Sequence, residues 1–139
     1  MDEAVGILGI YNIEWGSGPA LHYLIADSMS NSVLVEFFEG NMVTLPNATP
    51  WHLATNHLRV NAQGDGGGMR YETLQKRLTK GGGELSLPDA MNLLADVSQA
   101  GNNPTQWSVI YGISTGEIDI VMGCIYEVRH TFQFPLAGK

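Results

Sequence analysis

The sequence holds a single cysteine, Cys124, so the chain cannot close a disulfide on itself. That scarcity fits a reducing compartment and argues against the disulfide scaffolds of small exported domains. Positive charge is scarce as well. Seven Lys and Arg stand against fourteen Asp and Glu, a formal net charge of −7, and no basic run occurs anywhere. Nucleic acid and anionic membrane are therefore not expected partners, because both are bound through clustered cations. No apolar run has the roughly 20 residues of a membrane span. The opening MDEAVGILGI carries acids where a signal peptide carries Lys or Arg, so the expected location is cytoplasmic. Charged residues of either sign make up only 15% of the chain, which leaves broad faces to be buried against something.

What remains is an ordinary globular composition, 44% hydrophobic, in 139 residues. That length suits one domain. DEAVGILGIYNI reads as the end of a helix running into a loop, and LHYLIAD as a strand ending in a polar turn. SVLVEFF alternates, with Val33, Val35 and Phe37 on one face and Glu36 on the other. Gly40-Asn41 suits a two-residue hairpin turn into the strand MVTL, and WHLAT is expected to follow in the same sheet. NAQGDGGG reads as a flexible linker or lid; it lacks the Gly-Lys-Ser/Thr ending of a phosphate loop.

Two helices come next. MRYETLQKRLTK places Tyr71, Leu74 and Leu78 on one stripe and is stopped by Gly81 to Gly83. SLPDAMNLLADVS has Ser86 as N-cap, Pro88 in the first turn and Asp89 closing a box-like S-x-x-D, with Ala90, Leu93, Leu94 and Val97 as its buried face. QWSVIYG, IDIVMG and HTFQF read as strands. Strands, two helices, then strands predict an α+β fold, mostly antiparallel, with both helices on one face of the sheet. The opposite face is apolar and needs a cover.

Site chemistry is sparse. His52 and His57 are five apart, on opposite faces of a strand, and with His22 and His130 give no metal-ligand spacing, so they read as no metal site; an organic cofactor is not expected either. Ser108 and Asp119 lie on strands without a nucleophile elbow. Cys124 reads as a small buried apolar residue, and Trp51, Trp107 and Tyr111 read more readily as core than as substrate platforms, with either role open. Asn56, at the end of PWHLATN, is a poor strand residue. Taken alone it reads as a strand-end turn, and Arg70 as a solvated residue at a helix start.

The order of four segments points further. LHYLIADSMSNSVLVEFFEGNMVTL, ATNHL, MRYETLQKRL and TQWSVIYGISTGEIDIVMG together resemble the choloylglycine hydrolases and related linear-amide C–N hydrolases, which include bile salt hydrolases and penicillin V acylases. The resemblance covers nearly all of this chain but only the C-terminal portion of the family's domain. It implies part of an αββα N-terminal-nucleophile hydrolase sandwich, acting on a non-peptide linear amide through a Cys exposed as residue one. It also implies roles for two residues. Asn56 matches the Asn whose amide enters the active site, and Arg70 matches an Arg close to the nucleophile. The family's Cys, and the Arg, Asp and second Asn near it, have no match here, because the chain begins MDEAV. The expectation is a C-terminal portion that is inactive alone. Its partners would be a small-molecule amide and either the absent N-terminal half or a second copy of the chain, as a homo-oligomer. The related acyltransferase branch and a non-catalytic binding module are the alternatives.

Overall fold

A computed structural model describes residues 1–11, 13, 21–61 and 68–136. The chain divides into two compact units, Met1–Gln75 and Lys76–Lys139.

The first unit opens with α1 (Asp2–Ile10) and then forms an antiparallel meander of β1 (His22–Ala26), β2 (Ser32–Phe38) and β3 (Asn41–Pro46). In the β1–β2 turn the Asp27 carboxylate accepts from the backbone of Met29 and Asn31, both at 3.0 Å, a local bond that substitutes for the ladder. The β2–β3 hairpin turns on Glu39 (φ 49°) and Gly40 (φ 77°), and Asn41 already pairs with Phe38. The turn therefore sits one residue before the expected Gly40-Asn41. β2 is the central strand, and the run Val33 to Glu36 is buried on both faces.

WHLAT does not continue this sheet. Residues 47–61 form no strand, and the expectation of a fourth strand there is corrected. Instead the segment is tied to one face of β2. Alternation puts Ser32, Leu34 and Glu36 on that face. Ser32 Oγ lies 3.1 Å from His52 Nδ1, and the Glu36 carboxylate accepts from the backbone N–H of Arg59 and of Val60, both at 2.7 Å. Among the described residues this face of the sheet is covered by a bent loop, with Tyr71 beside it. The glycine-rich stretch read as a linker or lid lies largely outside the described residues.

α2 (Gly68–Lys80) follows in sequence and buries Tyr71. Its end is closed by Gly81 N–H and Gly83 N–H, which donate to Arg77 O and Leu78 O, with Gly82 and Gly83 at positive φ.

The second unit holds α3 (Leu87–Asp96) and the antiparallel sheet β4 (Trp107–Tyr111), β5 (Glu117–Met122), β6 (His130–Gln133). Ser86 caps α3 as the sequence implies, accepting from Asp89 N–H at 3.2 Å while its hydroxyl reaches Asp89 Oδ2 at 2.5 Å. Met91 and Leu93 are its buried residues, Val97 is buried just past its end, and Ala90 and Leu94, expected on the buried face, are half-buried; the helix packs on β4. The fold is thus α+β, with two separate three-stranded antiparallel sheets and three helices among the described residues, not one sheet with two helices on a face. Of the second sheet, Trp107, Tyr111, Met122 and Phe132 share the face opposite Ser108 and Val121, and all four are more than half exposed. No described helix is long and apolar enough to cross a membrane.

Candidate functional site

The two residues singled out from the sequence meet. Arg70, in the first turn of α2, donates from Nη1 to Asn56 Oδ1 at 2.7 Å. The two stand fourteen positions apart in sequence. Asn56 is exposed and lies in a bend, not at a strand end. The strand argument that put His57 on the opposite face therefore does not apply. The bond has a chemical consequence. With Oδ1 taken by a guanidinium, the amide is oriented, and its NH₂ is the end left to donate.

A second feature lies in the same unit. An open cavity of about 420 Å³ is floored by Leu34 and Leu45 and walled by residues 46–49, Trp51, His52, Leu53, Arg59, Tyr71 and Gln75. Neither Asn56 nor Arg70 lines it. The Arg59 guanidinium stacks over the Tyr71 ring, 4.5 Å from its centroid. Its Nη1 is closed off from water and has no hydrogen-bond partner among the described residues. The two carboxylate oxygens that come nearest in sequence logic, those of Glu36, are used on backbone instead. Oε1 takes Arg59 N–H and sits 3.2 Å from His22 Nδ1, and Oε2 takes Val60 N–H. Glu36 is completely buried. Sequence reasoning placed it on the face opposite Val33, Val35 and Phe37 but gave it no role. The signal that could have found it is a charged residue in the middle of an otherwise apolar central strand.

His52 titrates below the ordinary imidazole value of 6.5, first because burial disfavours its charged form and then because Arg59 stands near. It is held neutral beside a fixed cation. The sign of its effect follows by linkage. Above about pH 6.5 neither folded nor unfolded chain protonates it. As pH falls below that value the unfolded chain takes up the proton first, and the folded state loses ground until His52 is itself protonated. The denaturation midpoint of the wild type should therefore fall more between pH 7.5 and 5.5 than that of His52→Gln. Parallel falls in the two proteins would show that His52 is not shifted.

In the second unit, Asp119 is buried and accepts from Thr131 Oγ1 at 2.6 Å, with Arg129 at 3.6 Å, while Ser108 Oγ pairs with Tyr126 OH at 2.8 Å. Ser108 and Asp119 thus serve different structural contacts and form no triad. Cys124 is half-buried, not fully buried as expected, and its thiol donates to Thr105 O at 3.3 Å. Among the described residues no group of three His, Cys, Asp or Glu is placed to hold a metal ion. No family model, no curated protein and no solved structure matches the chain.

Proposed function

We propose that this chain is the C-terminal portion of an N-terminal-nucleophile hydrolase that cleaves non-peptide linear amides, of the choloylglycine hydrolase and penicillin V acylase kind. The observation that carries the reading is the 2.7 Å bond from Arg70 to Asn56, the two residues that the resemblance assigns to the active site. In the proposed reaction a Cys thiol supplied by the N-terminal portion attacks the amide carbonyl, and its α-amine takes the proton. The carbonyl oxygen becomes an oxyanion and accepts from the Asn56 NH₂. Arg70 keeps that amide turned the right way and adds positive charge to the site. The amine leaves, and water releases the acid.

In this reading the two sheets belong to an αββα sandwich, and the protein is cytoplasmic. The open aromatic face of the second sheet packs against the N-terminal portion. A self-associating homo-oligomer of this chain alone would be the outcome in which that layer is absent.

The reading frame upstream of the Met1 codon tests the proposal. An open frame that begins at a Cys codon and runs into DEAVGIL is expected, and the chain by itself should release no amine from penicillin V or a conjugated bile salt. An in-frame stop directly upstream, or amine release by the chain alone that Asn56→Ala abolishes, would overturn it.

A further inference from the structure

We propose that the cavity of the first unit binds the carboxylate of a small, mostly apolar molecule, with the Arg59 guanidinium as its anchor. The inference does not depend on the hydrolase reading, because neither Asn56 nor Arg70 lines this cavity.

The argument starts from an unmet demand. Arg59 is half-buried, and a guanidinium N–H shut away from water normally finds a carboxylate or carbonyl, since an unpartnered buried donor is costly. Arg59 Nη1 has none among the described residues, and the guanidinium takes part in no ion pair with a described side chain. The nearby buried acid does not answer it, because Glu36 is committed to the backbone N–H groups of Arg59 and Val60. That commitment fixes the chain at Arg59, and among the described residues no carboxylate pairs with its side chain. Tyr71 then holds the guanidinium from one face, an interaction that leaves its in-plane N–H donors for another partner.

The class of ligand follows from the surroundings. A planar fork of donors matches a carboxylate, which accepts two parallel hydrogen bonds. Among the described residues that line the cavity there is no Lys and no second Arg, and its histidine, His52, bonds Ser32 and titrates below the ordinary imidazole value, so a phosphate dianion would meet one guanidinium and little other positive charge. The chain's net charge of −7 also disfavours a polyanion. The rest of the ligand meets Trp51, Leu34 and Leu45, which suit an aromatic or aliphatic body. A volume of about 420 Å³ is within the range of small-molecule sites.

The test uses the full chain and three probes of one shape: 3-phenylpropanoate, its neutral amide, and 3-phenylpropanol. Binding is measured by calorimetry and by NMR shifts of the Trp51 indole and the His52 ring. The acid should bind at least about tenfold more tightly than the amide or alcohol, and should raise the titration midpoint of His52 by offsetting Arg59. Arg59→Met, which keeps the apolar stem, should erase the acid's advantage and leave the neutral probes unchanged, and Arg59→Lys should fall between. Equal affinity for acid and amide on the wild-type chain overturns the proposal, whether or not the variants fold. So does binding that shifts neither Trp51 nor His52.

Discussion

In the proposed hydrolase, this chain completed by a nucleophile-bearing portion, Asn56→Ala is expected to lower kcat by about 10²–10³-fold, as loss of one oxyanion donor typically does, with a smaller change in KM. The reason is the geometry at Arg70. A guanidinium on Oδ1 at 2.7 Å leaves the Asn56 NH₂ as donor, and a pre-oriented donor strengthens as charge develops on the carbonyl oxygen. Asn56→Asp separates catalysis from architecture. The carboxylate keeps the Arg70 contact and makes it a charged pair, so the local fold should hold, but the donor is gone and a negative charge faces the oxyanion. Its kcat should be at least as low as that of the Ala variant. Arg70→Ala should also lose activity by releasing the amide, and Arg70→Lys should recover part of it. If Asn56→Asp turns over within a factor of two of the wild type, Asn56 is a loop residue that braces α2 and nothing more.

The elements built on local chemistry were legible. Alternation found β2, the capping box found the start of α3, and the glycine run found the end of α2. Each of these signals is written within a few residues of the feature it sets. WHLAT shows where such reasoning stops. Its Leu53 does bury, but in a loop pinned from below by Ser32 and Glu36, two side chains about 20 positions upstream. Alternating apolar residues cannot distinguish a strand from a loop whose bonds go to side chains. The same blind spot hid the cavity. Arg59, His52 and Tyr71 are unremarkable in sequence, and only the return of residues 47–61 across β2 brings them around one space. Asn56 and Arg70 were selected by resemblance rather than by periodicity. The fold places them in contact, which makes their joint role testable by the substitutions above.

The largest stability effect should come from Glu36. Its side chain is fully buried in the central strand, and it satisfies two backbone N–H groups that belong to no helix or sheet. Glu36→Leu fills similar volume but accepts nothing. Arg59 N–H and Val60 N–H would then be left in a part-buried setting, each costing about 1–3 kcal/mol unless water enters. A loss of roughly 2–5 kcal/mol follows, a large share of the about 5–15 kcal/mol that holds a typical domain together. Glu36→Gln should sit between, since one oxygen still accepts while the new NH₂ faces a backbone donor. Glu39→Gln, an exposed change three residues away at the hairpin tip, should stay within about 0.5 kcal/mol of wild type. Urea unfolding followed by circular dichroism gives all three values. Binding supplies a second readout, because the Glu36 carboxylate is also what seats Arg59 over Tyr71. In a Glu36→Gln protein that remains folded, the preference of the cavity for 3-phenylpropanoate over its amide should shrink, although no atom of Glu36 lines the cavity. A Glu36→Leu protein less than 1 kcal/mol below wild type would mean that the loop carrying Arg59 is held by its apolar residues alone, and that the buried carboxylate is not what fixes the site.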